Sequence, residues 1–189
     1  MHKFSSEKLK KLDSPQRRKM LPPHELVPLL KIDETAIIAD IGCGIGNFTI
    51  PLAVAAKKGH VYALDISEIM LAEARRRAEE QALHNITFLQ SAENKLPLEN
   101  GRVDLAFMAM VLHEVKQPLE FLSEVRRTLV PGGRLTILEW VKEEMEAGPP
   151  KGERLSEKET ESFLAASGFS VEGYERFKDF FYLLFAKKE

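Results

Sequence analysis

The feature that most constrains this chain is the segment AIIADIGCGIGNFTI at residues 36–50. A short apolar run ends at Asp40, and Gly42, Gly44 and Gly46 follow directly before a helix-like segment. Glycines at such a turn allow positive φ and let a ligand approach the bare backbone. A strand, a glycine loop and a helix in this order predict an α/β sheet with a ligand site at the carboxyl end of the strand.

Strand-like apolar runs alternate with helix-like segments along the chain. The runs are TAIIAD, HVYALD, NITFLQ, VDLAFMAM, GRLTILEW, SVEGYERF and FFYLLFA. The first five are apolar without strict alternation, which is typical of strands buried on both faces of a parallel sheet. Only Lys178 and Asp179 separate the last two runs, which is too short for a crossover helix. Those two strands must therefore pair antiparallel, at the end of an otherwise parallel, doubly wound sheet.

Composition excludes several classes of protein. A single cysteine, Cys43, excludes an intramolecular disulfide and any multi-cysteine metal site, so no metal is expected. No apolar run reaches about 18 residues, so no membrane insertion is expected. The net charge of −2 argues against general affinity for nucleic acid. The first 20 residues carry seven Lys or Arg but no apolar core, so we expect no signal peptide and a cytoplasmic location.

The residues around the glycines indicate which ligand they bind. The third glycine, Gly46, comes one residue too early for the dinucleotide fingerprint, and no lysine follows as in a phosphate-binding loop. Asp40 would repel a pyrophosphate but attract an ammonium or sulfonium group. Asp65 ends the second strand 23 residues after Gly42, where an acid can bind the hydroxyls of a ribose. S-adenosylmethionine fits all of these features.

Four stretches carry a family resemblance: DIGCGIGNFTIPLA, ALDIS, SAENKLPLENGRVDLAFMAMVLHEV and FLSEVRRTLVPGGRLTILEW. They resemble the successive motifs of class I S-adenosylmethionine-dependent methyltransferases, and are most similar to the small-molecule, ubiquinone/menaquinone-type branch (methyltransferase type 11). The resemblance covers residues 36–140 well. It implies a Rossmann-like seven-stranded α/β sheet with five or six parallel strands and a C-terminal antiparallel strand. It also implies methyl transfer to a small-molecule acceptor by in-line displacement.

The resemblance implies that seven residues contact the cofactor: Asp40, Gly42, Gly44, Asp65, Ile66, Ala92 and Met108. The first three would line the methionine part of S-adenosylmethionine. Asp65 would hold the ribose, Ile66 would lie on a face of adenine, and the backbone N–H of Ala92 would meet adenine. Ser91 stands where the family often has an acid that accepts from the adenine amino group, so the adenine contacts are the least defined.

The need for a catalytic base depends on the acceptor. A phenol or carbon acid must lose a proton, whereas a thiolate or tertiary amine need not. His113 and Glu114 follow the fourth strand, at the carboxyl end where ligands bind in such sheets. His113 is the candidate catalytic base because an imidazole titrates near neutral pH, and Glu114 is interpreted as a structural charge. His24 is a second candidate if the N-terminal segment covers the site.

Two classes of acceptor do not fit the sequence. Methylation of amino groups in DNA bases uses an Asn- or Asp-Pro-Pro-aromatic motif in the families that perform it, and AMVL occupies that place here. Methylation at cytosine carbon needs a cysteine nucleophile, and Cys43 lies in the glycine loop, where it is interpreted as a packed side chain. We expect no nucleic-acid partner, whereas a protein substrate and the oligomeric state stay open.

Two domains are predicted, an N-terminal leader or lid at residues 1–30 and the methyltransferase domain at residues 31–189. The polar linker VKEEMEAGPPKGERL, with two prolines and two glycines, is predicted to be a mobile flap. Two alternatives remain: a non-enzymatic S-adenosylmethionine-binding or scaffold protein, and an NAD-dependent oxidoreductase. The glycine spacing, Asp40 and the final hairpin argue against the oxidoreductase.

Overall fold

A computed structural model describes residues 14–189. The chain divides into two compact units at the bond between Ser91 and Ala92, and the predicted leader boundary after residue 30 stays a prediction. Leu21, Leu26 and Leu30 are buried, so the described part of the leader contributes to the hydrophobic core. Most of the basic residues predicted for the leader lie before residue 14, outside the described residues.

The first unit contains three parallel strands in the order β3-β2-β1. Its elements are helices α1 (Pro15–Met20) and α2 (Pro23–Leu26), a 3₁₀ turn (Val27–Leu30), β1 (Ile37–Ile41), α3 (Thr49–Ala55), β2 (His60–Asp65), α4 (Glu68–Glu80) and β3 (Ile86–Gln90). Asp40 is paired with Ala63 in the β1–β2 register. The acids Asp40 and Asp65 therefore lie near the carboxyl ends of two adjacent strands.

Helix α4 shows why the sequence folds locally as it does. The Ser67 side chain accepts a hydrogen bond from the backbone N–H of Met70 and caps the helix, as its position predicts. One side of the helix is apolar and buried, and it includes Leu71, Ala74 and Ala78. This side packs the helix against β2 and β3, which places the start of α4 beside the glycine loop of the same unit.

The second unit contains four strands in the order β4-β5-β7-β6. Its elements are β4 (Val103–Ala109), a 3₁₀ turn (Leu112–Glu114), α5 (Pro118–Thr128), β5 (Leu129–Trp140), a second 3₁₀ turn (Lys151–Glu153), α6 (Glu157–Ala166), β6 (Phe169–Phe177) and β7 (Phe181–Lys188). Strands β4 and β5 are parallel, and β7 is antiparallel to both β5 and β6. The predicted α/β class and antiparallel last strand are confirmed.

The hairpin and the helix before it follow the local sequence signals. Phe177 pairs with Phe181 across a three-residue turn in which Lys178 has φ of +53°. Ser156 and Glu159 form the predicted capping box at the start of α6. Gly168 follows the helix with φ of +77°, the left-handed conformation that glycine adopts without strain. These short-range signals were sufficient because each depends on residues only a few positions apart.

The segment VPGG at residues 130–133 was predicted to be a breaker after a helix. Helix α5 does end at Thr128, but VPGG forms the irregular start of β5. The β4–β5 register shifts between Val103 and Leu105, so β5 absorbs extra residues there. A Cβ on Gly133 would lie 2.9 Å from the carbonyl oxygen of Val130, so this bulged backbone requires glycine.

The linker at residues 141–155 is held around one arginine, and its predicted mobility stays a prediction. Arg154 is 2% exposed, and its guanidinium lies 5.7 Å from the ring centre of Trp140. It donates hydrogen bonds of 2.7–3.1 Å to the backbone oxygens of four linker residues: Val141, Glu143, Ala147 and Pro149. The guanidinium thus provides hydrogen-bond donors for linker carbonyl oxygens that apolar side chains could not satisfy.

None of the helices described here is both long enough and apolar enough to cross a bilayer.

Candidate active site

The glycine loop is tied to the end of the neighbouring strand. The backbone N–H groups of Gly42 and Cys43 donate to the carbonyl oxygen of Leu64 at 2.7 and 2.9 Å. Gly42, Gly44 and Gly46 have φ values of +70°, +54° and +81°. A side chain would strain the backbone at each of these positions, which explains why glycine recurs at every second residue.

Gly44 and Gly46 have different neighbours. A Cβ built on Gly46 would lie 3.2 Å from the Cβ of Ala74, so this glycine allows α4 to pack closely on the loop. A Cβ built on Gly44 would meet no atom within 4 Å. The space beside Gly44 is therefore open to a ligand, whereas Gly46 serves the packing of the fold. Gly46 was not among the residues predicted to bind the cofactor, whereas Gly44 was.

Asp65 links the glycine loop to the start of helix α4. Its Oδ2 accepts the backbone N–H of Gly44 at 2.8 Å, and its Oδ1 accepts that of Ser67 at 2.8 Å. The residue is 7% exposed. A carboxylate has about four lone-pair positions, so it can accept more than two hydrogen bonds. Asp65 therefore has a structural role that the ribose prediction did not include.

Asp40 is a buried carboxyl group with a hydroxyl partner. Its Oδ2 accepts a 2.5 Å hydrogen bond from the hydroxyl of Thr49, the first residue of α3. Burial raises the pKa of Asp40 to about 7, the Thr49 hydrogen bond opposes this rise, and the charge of Asp65 adds to it. Because this pKa is near neutral, a bound cation would shift Asp40 towards its ionised form.

Cys43 is a packed side chain, as predicted. It is 7% exposed and forms a cluster with Ala63 and Leu71. Burial raises the pKa of its thiol well above the ordinary value. The thiolate that a nucleophile needs is therefore disfavoured at this position.

The three other predicted cofactor residues differ in their surroundings. Ile66 is 54% exposed, so its apolar side chain is accessible to a ligand. The backbone N–H of Ala92 donates to the carbonyl oxygen of Lys95 at 3.0 Å, and an adenine contact would have to replace this hydrogen bond. Met108 lies in β4 with 0% exposure. Its side chain packs in the core, and its predicted contact with the cofactor stays a prediction.

His113 is paired with a buried glutamate of the same unit. Its ring Nδ1 lies 2.8 Å from Oε2 of Glu139, and its backbone N–H donates to Oε1 at 3.2 Å. The side chains of His113 and Glu139 are 8% and 1% exposed. His24, the second candidate base, has a side chain that is 81% exposed, and its ring lies 3.9 Å from Glu25. Only His113 is held by a defined second group.

The electrostatics of His113 follow from this pairing. Burial lowers the pKa of His113, but the hydrogen bond and charge of Glu139 raise it, with smaller contributions from Glu114 and Glu153. The net effect is a pKa above the ordinary value for histidine. Sequence reasoning missed Glu139, which lies 26 residues away on β5. The sequence signal that could have found Glu139 is the presence of an acid inside the apolar run LTILEW.

Comparisons with known proteins agree with this arrangement. Residues 38–133 match the methyltransferase domain family. A crystal structure of a SAM-dependent methyltransferase from Aquifex aeolicus is 34% identical and superposes with a TM-score of 0.92, covering 99% of this chain and 100% of that one. The chain belongs to the class I S-adenosylmethionine-dependent methyltransferases. Its sheet, helices and C-terminal hairpin are therefore those of an enzyme family with one cofactor in common.

Curated relatives of this methyltransferase include two enzymes named demethylmenaquinone methyltransferase. The one from Lactococcus lactis is 38% identical over 103 residues, which are 54% of this chain and 41% of the relative. The one from Bacillus subtilis is 32% identical over 118 residues, which are 62% of this chain and 51% of the relative. The matched region thus spans about half the length of these curated relatives.

The first unit of the methyltransferase fits S-adenosylmethionine. The open space beside Gly44 is the kind of cradle in which a ligand can lie against bare backbone. Asp65, and Asp40 when it is ionised, could supply negative charge for a cationic ligand and acceptors for its hydroxyls. Ile66 presents an exposed apolar side chain of the sort that covers an adenine face. These four residues combine the backbone, acidic and apolar surfaces that the cofactor requires.

Proposed function

We propose that this methyltransferase transfers a methyl group to a small hydroxyl-bearing aromatic acceptor of the quinol type. The observation that carries the proposal is the buried His113–Glu139 pair, in a chain whose family uses S-adenosylmethionine. A histidine held in this way is suited to accept a proton, and a quinol hydroxyl must lose one to become a good nucleophile. The names of the curated relatives support a quinol-type acceptor.

For the cofactor, we propose contacts with Asp40, Gly42, Gly44, Asp65 and Ile66. The bound cofactor supplies a methyl group on a sulfonium sulfur, and the carbon–sulfur bond breaks with its electron pair staying on sulfur as the acceptor bonds to the methyl carbon. The open backbone at Gly44 would hold the amino-acid part and Asp65 the ribose hydroxyls. Asp40, once ionised, would favour the positive charge of the ligand.

For the acceptor, we propose His113 as the catalytic base. The hydrogen bond to Glu139 uses Nδ1, so Nε2 is the ring nitrogen left to meet an acceptor, and the side chain is 8% exposed. A neutral imidazole can take the hydroxyl proton, and the raised pKa of His113 makes its ring a stronger proton acceptor. General-base catalysis of this kind contributes about 10²- to 10⁴-fold in rate.

The first part of the test is cofactor binding. Isothermal titration of the protein with S-adenosylhomocysteine should show one site per chain, whereas NADH should show none. The Asp65→Asn variant should bind more weakly, and Asp33→Asn is the matched control. Asp33 is also an acid that accepts a backbone N–H, from Thr35 at 2.8 Å, but it lies outside the glycine loop. Absence of S-adenosylhomocysteine binding would refute the cofactor site.

The second part of the test is acceptor choice. The protein would be incubated with S-adenosylmethionine and, separately, a reduced naphthoquinone, a catechol, an aliphatic thiol and a tertiary amine. Mass spectrometry of the methylated product and of S-adenosylhomocysteine should show turnover with the hydroxyl acceptors. The His113→Asn variant should lose most of that turnover while it retains cofactor binding. Turnover restricted to the thiol or the amine would refute the acceptor class but not the methyl transfer.

A further inference from the structure

Glu139 is a buried carboxylate whose described hydrogen bonds both go to one residue. It is 0% exposed and lies on β5, in register with Tyr182 of β7. Its Oε1 accepts the backbone N–H of His113 at 3.2 Å, and its Oε2 lies 2.8 Å from the ring Nδ1. Burial of a carboxylate is unfavourable unless the group is well paired. The pairing with His113 is therefore the interaction that compensates for the burial of Glu139.

The pairing determines which ring nitrogen of His113 can act as a base. An ionised carboxylate only accepts hydrogen bonds, so the proton of the neutral ring resides on Nδ1. The lone pair is then on Nε2, the ring nitrogen that does not pair with Glu139. The additional bond from the backbone N–H fixes the carboxylate relative to the 3₁₀ turn that carries the ring. Tautomer and ring orientation are thus set by the same side chain.

We infer that Glu139 is a positioning residue that prepares Nε2 of His113 to accept the proton of a hydroxyl acceptor. This inference rests on the proposed function. In the step, the acceptor O–H bond breaks and the proton goes to Nε2. The electron pair left on oxygen bonds the methyl carbon as the carbon–sulfur bond of the methyl donor breaks, with that bond's electron pair leaving on sulfur. The ring becomes an imidazolium, and the negative charge of Glu139 stabilises it. A thiolate or tertiary-amine acceptor brings no proton to remove and would not depend on Glu139.

A purely structural role for Glu139 makes a different prediction. Glutamine at this position can still accept hydrogen bonds through its carbonyl oxygen, so it can still support the turn. It cannot supply the negative charge. The other charged groups near His113 are Glu114 on the same turn and Glu153 in the second 3₁₀ turn. Among the described residues, only Glu139 is hydrogen-bonded to the ring. Glu139→Gln therefore removes the negative charge but keeps a hydrogen-bond acceptor that supports the turn. Glu114→Gln is the matched control.

The first measurement is an NMR titration of full-length protein labelled with ¹⁵N-histidine, with His113→Asn used to assign the resonances. The neutral ring of the wild type should show the Nδ1–H tautomer. The pKa of His113 should fall in Glu139→Gln by about one unit or more, the effect expected for loss of an adjacent opposite charge. It should change much less in Glu114→Gln. An Nε2–H tautomer in the wild type, or an unchanged pKa in Glu139→Gln, would overturn the inference.

The second measurement is steady-state kinetics with a hydroxyl acceptor. Glu139→Gln should lower kcat at least tenfold, leave the KM for S-adenosylmethionine unchanged, and move the rising limb of the pH–rate profile to lower pH. An equal fall in turnover for Glu139→Gln and Glu114→Gln would overturn the inference. Failure of the wild type to bind S-adenosylhomocysteine would refute the proposed function instead. The tautomer of wild-type His113 is measured without cofactor and without Glu139→Gln, so it tests the pairing even if Glu139→Gln does not fold.

Discussion

Oδ2 of Asp65 lies 2.8 Å from the backbone nitrogen of Gly44, 21 residues earlier in the chain. The other oxygen accepts the N–H of Ser67 at 2.8 Å. One carboxylate therefore holds both the loop that is open to a ligand and the first residues of α4. A change at Asp65 acts on ligand binding directly and also through the shape of the loop.

Asp65→Asn should weaken binding of S-adenosylhomocysteine by about 1–3 kcal/mol, the usual effect of removing a hydrogen-bond partner from a buried group. An amide has one acceptor oxygen, so one backbone N–H loses its partner and the ribose loses a charged acceptor. Isothermal titration measures the affinity, and thermal unfolding reports any loss of stability. The Asp33→Asn control should retain wild-type affinity, and equal weakening in both variants would contradict the assignment.

Gly44→Ala and Gly46→Ala should have different effects. Both place a side chain at positive φ, which is expected to destabilise the fold by about 1–2 kcal/mol. Only the Gly46 variant also brings a Cβ to 3.2 Å from Ala74, so it should lose more thermal stability. Only the Gly44 variant places a methyl group in the open space, so it should lose more affinity for S-adenosylhomocysteine. The reverse order in thermal melts and titrations would show that the two roles are misassigned.

Ionisation of Asp40 should make stability depend on pH. Its pKa in the folded protein is about 7, above the value near 3.8 expected for the unfolded chain. The folded state therefore binds the proton of Asp40 more tightly than the unfolded state does. The contribution of Asp40 to the free energy of unfolding falls as pH rises from about 4 to 7. The expected slope is at most about 1.4 kcal/mol per pH unit.

Urea unfolding of the wild type and Asp40→Asn between pH 5 and 8 measures this effect. The asparagine variant should gain stability relative to the wild type as pH rises to 7, with no further gain above that range. Thr49→Val removes the hydrogen bond that lowers the pKa of Asp40, so it should extend the window to higher pH. A stability difference that does not vary with pH would show that Asp40 is ionised throughout.

Arg154→Lys should destabilise the second unit. A lysine ammonium has three donors on one atom and cannot replace a planar group that bonds four linker carbonyls and lies over Trp140. We expect a loss of about 1–3 kcal/mol from the buried carbonyls left without partners. Urea unfolding measures it, and hydrogen exchange of residues 141–155 should increase. Arg176→Lys, at an exposed ion pair with Glu143, is the control and should leave stability nearly unchanged.

Local patterns predicted most of the architecture. HVYALD predicted β2 at its observed bounds, Ser67 and Ser156 cap the helices that they were expected to cap, and the short gap after β6 required an antiparallel hairpin. These features depend on residues close in the chain, where backbone geometry and hydrophobic period act directly. The helix before VPGG ends where it was predicted to end, but the irregular start of β5 was not predicted because its register with β4 depends on residues distant in the chain.

The sequence by itself determined the fold class, the position of the glycine loop and the candidate acids and base, since each is written in short-range spacing and residue type. Only the tertiary structure decided that Gly44 is open while Gly46 packs on α4, that Met108 is buried, and that Glu139 meets His113. The reason is physical. Which distant side chains become neighbours depends on strand register and helix packing, and these result from burial of the whole core rather than from any one segment.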